Sequence, residues 1–217
     1  MLPPTDRREL FALKKGSKMA ELLEVKNLSV SFDTPDGEAE AVRDVSFFVK
    51  KGETLAIVGE SGCGKSVLCR SIMKLLPKTA RIKSGSVLLD GKEITGLTEK
   101  EMQKLRGNSF SMVFQDPMTT LNPAMTVGAQ IAEAVIIHRP EFSREEVRCR
   151  VWELMELVGI DHPKERAAQY PWNFSGGMRQ RSVLAIALAS EPAVLLADEP
   201  TTALDVTIQA QILALFR

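Results

Sequence analysis

Apolar positions along the chain follow two rhythms, one with a period near two and one near 3.6. From Leu22 to Phe32 they come close to alternating, at Leu23, Val25, Leu28, Val30 and Phe32, which predicts a strand. A turn at Thr34-Pro35-Asp36-Gly37 leads to a second strand, Val42 to Val49, and Gly85 to Asp90 joins the same antiparallel β layer through the Asp90-Gly91 turn. The apolar run Thr54 to Val58 reads as a further strand, followed by a glycine loop and a helix that begins near Val67. Two more apolar strands are predicted, Ser109 to Gln115 and Ala193 to Ala197. Between about Asn122 and Ala168 the rhythm turns helical. Val147, Val151, Leu154, Met155 and Val158 share one face, while Arg144, Glu145, Glu146, Arg148 and Arg150 fall mostly off it. Trp152 and Met155 read as packing residues. A small-residue helix, Ser182 to Ala189, follows later.

This pattern predicts an α/β domain over 22–217, with a helical subdomain at about 122–180 inserted into it and residues 1–21 as a mobile tail. Met19 stands just before the first patterned element and is an alternative start. Lys plus Arg and Asp plus Glu number 28 each, so no overall field recruits nucleic acid or an anionic membrane. The three cysteines, Cys63, Cys69 and Cys149, have no metal-ligand spacing, and an odd number fits a reducing compartment, the cytosol. No apolar run approaches a membrane span, so membrane association is expected only through a partner.

The chemistry centres on Gly59-Glu60-Ser61-Gly62-Cys63-Gly64-Lys65-Ser66, with Val67 beginning the helix. Glycines bring backbone N–H groups close to phosphate oxygens, and a helix N-terminus adds partial positive charge. Lys65 is expected to reach the β and γ phosphates and the Ser66 hydroxyl to ligate Mg²⁺, which makes this a nucleoside triphosphate site. Phe32, about 27 residues before Gly59, is either a half-buried strand aromatic or a ring stacked on adenine. Gln115 ends a strand where ligands bind in open α/β sheets. Ser175-Gly176-Gly177 opens a helix and forms a second anion-binding arrangement. Asp198 and Glu199 close the last apolar strand; Asp198 is expected to hold the Mg²⁺ shell and Glu199 to polarise the attacking water.

In this order the segments resemble the ATP-binding subunits of ABC transporters, from Leu22 to Arg217. Gly59 to Ser66 is similar to the Walker A loop, Gln115 to the Q-loop and Ser175-Gly176-Gly177 to the ABC signature. Ala193 to Glu199 is similar to the Walker B strand with its glutamate, and Ala203-Leu204-Asp205 to the D-loop. Phe32 stands at the family's adenine-stacking position. Within the family, Gln115 to Pro123, Ser175 to Arg181 and Ala197 to Thr207 most resemble the dipeptide and oligopeptide importers, a group that includes nickel importers.

The resemblance implies a P-loop NTPase core of ABC type with catalytic residues Glu199, Gln115 and Lys65. ATP would lie on Phe32, Gly59 to Val67 and, from the opposite subunit, Ser175 to Gly177; Mg²⁺ would lie on Ser66, Gln115 and Asp198. It implies a transport ATPase peripheral to the cytoplasmic face of the cell membrane. Its partners would be a second ATP-binding subunit meeting it head to tail, two membrane-spanning permease subunits and an external peptide-binding protein, without nucleic acid. The helical subdomain and the region after Gln115 would grip the membrane-spanning partners.

Two departures stand out. Pro171-Trp172-Asn173-Phe174 replaces the group's Pro-His-Glu-Leu, and the bulkier Trp172 changes the dimer face. Family members also continue past the D-loop helix into another strand and a switch histidine, and neither His138 nor His162 lies at that place. The expectation is a truncated cassette with its C-terminal strands missing and a gap of roughly 9 to 10 Å, about two strand spacings, between the Walker strands. The alternatives to a peptide-import ATPase are a truncated product that binds nucleotide without hydrolysing it, and a nickel importer subunit. An ABC-type ATPase of DNA repair would need zinc cysteines or a long coiled-coil insertion, and the sequence has neither.

Overall fold

The computed structural model describes residues 21–114 and 120–200. Within them the chain divides into two units, one ending at Gly96 and one beginning at Leu97.

The first unit is built on a four-stranded antiparallel sheet of β1 (Glu21–Thr34), β2 (Gly37–Lys50), β3 (Ala80–Leu89) and β4 (Lys92–Glu93), in the order β2-β1-β3-β4. The predicted alternation is realised: Leu23, Val25, Leu28 and Val30 are buried, together with Val42 and Val87 from the flanking strands. Helix α1 (Lys65–Ile72) packs on β1 and β2 and buries Leu68 and Ile72. It begins at Lys65, directly after the loop glycine and slightly earlier than the periodicity predicts.

Thr54 to Val58, expected as a strand, enters no ladder among the described residues, and Val58 is 69% exposed. An apolar pattern makes a strand only where another backbone supplies the hydrogen bonds, and none of the described strands does so here.

One face of this sheet carries a charged lattice across β2, β1 and β3. The Ser31 hydroxyl donates to Glu38 Oε1 at 2.6 Å, Lys83 and Arg81 reach the same carboxylate at 3.3 and 3.1 Å, and Lys83 and Arg81 also pair with Glu40 and Asp33. These donors, Ser31 first and then Lys83 and Arg81, hold the Glu38 carboxyl down to about 2 from an ordinary 4.5. A carboxyl depressed in the folded state stabilises it above the unfolded value and loses that contribution as pH falls through the folded one. The unfolding midpoints of wild type and Glu38→Gln should therefore differ above pH 4.5 and converge as pH falls toward about 2. A difference that persists unchanged down to pH 2 would rule out this account of the lattice.

The second unit contains α2 (Glu99–Leu105), β5 (Phe110–Val113), α3 (Val127–His138), α4 (Arg144–Leu157), α5 (Pro163–Arg166), α6 (Gly176–Leu188) and β6 (Val194–Ala197), with a 3-10 turn at Pro171–Asn173. Capping boxes start two helices, Thr98 with Glu101 for α2 and Ser143 with Glu146 for α4. The predicted face of α4 is the core face: Val147, Val151, Leu154, Met155 and Val158 are buried against α3 and α6. Trp152 is partly buried and packs on the same core, as expected. Helix α6 starts at Gly176, as the Ser175-Gly176-Gly177 reading expects, and runs on through the small-residue stretch from Ser182; Ser175 caps it by accepting from the Met178 N–H at 3.3 Å.

Strands β5 and β6 pair in parallel, Phe110 opposite Val194 through Val113 opposite Ala197. The Asp198 N–H extends the ladder to the Val113 carbonyl at 2.9 Å. Their C-terminal ends therefore open at one edge, where β6 delivers Asp198 and Glu199.

Candidate nucleotide-binding site

The glycine loop owes its shape to its glycines, of which Gly62 and Gly64 both take positive φ. Gly64 has φ +98, and a Cβ placed there would press into the Ala41 carbonyl oxygen of β2. Only glycine fits, and this close approach is what seats the start of α1 against the sheet. Gly59, Glu60, Ser61, Gly62 and Cys63 are exposed, while Gly64, Lys65, Ser66 and Val67 are half-buried. The Lys65 ammonium donates to the carbonyls of Gly59 at 3.0 Å and Glu60 at 2.9 Å. A phosphate would offer it an anionic acceptor instead, and charge-assisted bonds are roughly twice as strong as neutral ones.

Phe32 lies in β1 opposite Ala39 of β2 and Ala80 of β3. The half-buried ring is thus flanked by the two smallest side chains a strand can carry, which leaves room for a flat ligand beside it. A cavity of about 160 Å³ between β2 and the loop is lined by Glu40, Ala41, Arg43, Val58, Cys63 and Lys65, among others. That is less than the roughly 300 Å³ of a typical small-ligand pocket, so this unit offers a nucleotide an open cradle. A larger cavity of about 420 Å³ lies away from the loop, around Lys74, Arg81 and Lys83. Its cations are committed to the Thr95 carbonyl and to Asp33, Glu38 and Glu40, so the loop is the better phosphate site.

In the second unit Asp198 is 3% exposed, and Glu199 follows it half-buried with φ +49. A non-glycine residue in the left-handed region, and directly before a proline, is a costly backbone state of the kind that gathers at functional sites. Taken unit by unit, Ser66 carries a hydroxyl in the first and Asp198 a carboxylate in the second, both hard oxygens of the kind Mg²⁺ takes. Gln115 lies outside the described residues, as does Ala203-Leu204-Asp205.

Ser175 and Gly176 are exposed at the start of α6. Among the described residues, a Cβ on Gly176 would meet nothing within 4 Å, and its φ does not lie in the left-handed region. Neither strain nor crowding within the chain calls for glycine there. A bare backbone that this chain does not need is suited to close approach by something outside it.

Sequence reasoning missed the anchors of this segment. Arg181 of α6 donates through Nη1 to the carbonyls of Val158 at 3.0 Å and Gly159 at 2.8 Å, closing the C-terminal end of α4, while Arg179 Nε reaches the Pro171 carbonyl at 2.7 Å. Gly159, at φ +74, lets the Arg181 guanidinium come that close. The basic residues after the glycines were the available signal; their partners are remote in sequence. Arg181→Ala should cost about 1.5–3 kcal/mol of unfolding free energy in urea, the range for hydrogen bonds to a charged group. An unchanged urea midpoint would show the clamp to be idle.

Comparison with known proteins places these features. Over 201 residues the chain is 56% identical to the oligopeptide transport ATP-binding protein OppD of Bacillus subtilis (strain 168), covering 92% of this chain and 56% of that protein. It is also 56% identical, over 200 residues, to the dipeptide transport ATP-binding protein DppD of the same organism, covering 92% of this chain and 59% of the other. The chain thus spans a little over half the length of these curated relatives. Among solved structures, a dimeric ATP-binding cassette in a post-hydrolysis state, bound to ADP and Pi, superposes with TM-score 0.79 at 30% identity, covering 89% of this chain and 80% of that one. The family profile described as ABC transporter matches residues 42–202, which run from the strand against the glycine loop to just past Glu199, and the chain belongs to the ABC transporter family.

Proposed function

We propose that the chain is the nucleotide-binding part of an importer's ATP-binding subunit, which hydrolyses ATP to drive peptide uptake across the cell membrane. The observation that carries the ATPase reading is the loop itself, with Gly64 locked against Ala41 and Lys65 opening α1. The peptide cargo rests on the likeness to oligopeptide and dipeptide transport proteins.

In this reading residues 22–217 act as one nucleotide-binding domain with a helical subdomain at about 122–180. Phe32 stacks on adenine, Gly59 to Val67 hold the phosphates, and Ser66, Gln115 and Asp198 would hold Mg²⁺, which when bound would neutralise charge on the phosphates. Glu199 takes a proton from the attacking water while Gln115 orients it. Catalysis is then mostly positioning and charge stabilisation. A second ATP-binding subunit meets the first head to tail and presents its own Ser175 to Gly177 to the phosphates. The open cradle and the uncrowded Gly176 both support a site completed from outside the chain. Two permease subunits and an external peptide-binding protein complete the assembly, with the subunit on the cytoplasmic face. No helix among the described residues is long and apolar enough to cross a membrane, which fits attachment through such partners.

Uptake of labelled peptides and of nickel by cells carrying the assembled transporter tests the cargo. Glu199→Gln should abolish uptake of dipeptides and oligopeptides and spare nickel. Loss of nickel uptake with peptide uptake intact would overturn the peptide assignment.

A further inference from the structure

Directly before the Ser175 cap stands a feature the ATPase reading does not use. The rings of Tyr170 and Trp172 are stacked with centroids 4.4 Å apart and planes 5° from parallel. Both are exposed, Trp172 to 57% and Tyr170 to 37%. The chain's other tryptophan, Trp152, contrasts with it, being partly buried with Arg148 and Lys164 over its ring.

The stack is rigid and tied to α6. Pro171 between the two rings is buried, its carbonyl accepts from Arg179 in the early turns of α6, and the Tyr170 N–H donates to Asn173 Oδ1 at 3.3 Å. The platform is therefore fixed beside the exposed Ser175 and Gly176. A nucleotide has the matching form, with phosphates at one end and a flat base on a sugar at the other.

We propose that the Tyr170–Trp172 platform packs on the nucleoside end of an ATP molecule whose phosphates reach Ser175 to Gly177 and which a second copy of the chain holds in its Lys65 loop. This rests on the head-to-tail reading above. The second copy's Phe32 takes one side of the adenine, and Trp172 closes over the side left open by the shallow cradle. Stacking on a π-face tolerates any base, so the platform adds affinity with little base selectivity.

Trp172 reports on its own contact. In a protein carrying Trp152→Phe and Glu199→Gln, Trp172 is the sole tryptophan and hydrolysis is suppressed. Pairing is followed by sedimentation while Mg²⁺ and ATP are added. The expected result is pairing accompanied by strong quenching of Trp172 emission. Trp172→Ala should raise the ATP concentration for half-maximal pairing about tenfold, as for loss of one base stack, with Trp172→Phe recovering most of it. GTP should show the same dependence on Trp172.

Pairing with unchanged emission and no effect of Trp172→Ala overturns the platform and leaves the head-to-tail reading standing. A blue shift without quenching means that protein covers the ring, which overturns the nucleoside contact. Absence of pairing at any ATP concentration overturns both.

Discussion

ATP turnover falls by about 10²- to 10⁴-fold when Glu199 is replaced by glutamine, the range for loss of a positioned general base, while ATP still binds. Glutamine keeps the shape and hydrogen-bonding reach of the side chain but cannot take a proton from water. The backbone supports this role for Glu199. Strand β6 ends at Ala197, Asp198 continues the ladder to Val113, and the chain then turns left-handed at Glu199 before Pro200. That conformation costs on the order of 1–3 kcal/mol in a residue with a side chain. Phosphate release and equilibrium binding of labelled ATP check the prediction together. Near wild-type hydrolysis would remove Glu199 from the mechanism; lost binding would make it a structural residue.

The second large effect separates two glycines that look alike in sequence. Gly64→Ala should abolish nucleotide binding and destabilise the first unit by about 2 kcal/mol or more, because alanine is strained at φ +98 and its methyl meets the Ala41 carbonyl. Gly176→Ala should do the reverse to stability. Alanine fits there without strain, so the fold gains about 0.4–1 kcal/mol. Turnover should nevertheless collapse, since a methyl group keeps the second subunit's phosphates from the α6 backbone. Thermal unfolding beside turnover distinguishes the two. A Gly176→Ala protein that is stable and fully active would mean that nothing approaches this helix start closely.

These contrasts show what sequence carries and what it leaves out. The near-alternation of β1, broken by a register shift between Val25 and Leu28, and the helical face of α4 were legible because burial follows local spacing from Leu23 to Val30 and from Val147 to Val158. Ser175-Gly176-Gly177 was legible as a helix start, and α6 does begin there, with the capping serine offsetting the weak propensity of the two glycines. Thr54 to Val58 misled because a strand depends on a neighbouring backbone that the run itself does not encode. The Arg181 clamp on the end of α4, the Ala41 carbonyl against Gly64 and the Tyr170–Trp172 stack all depend on the folded geometry. The left-handed turn at Glu199 has no signature in a residue type that ordinarily avoids it.

The most direct measurement of the central claim mixes two crippled proteins. Lys65→Ala removes the lysine proposed to bind phosphate and Gly176→Ala adds a methyl at the helix start, so each variant alone should show little turnover. Paired head to tail, one of each rebuilds a single intact site, with Lys65 from the Gly176→Ala chain and Gly176 from the Lys65→Ala chain. Recovery of ATP hydrolysis on mixing, dependent on total protein concentration, is the predicted result. An active wild type whose two variants stay silent together would show that ATP is hydrolysed without Gly176 of a second copy, contradicting the shared site.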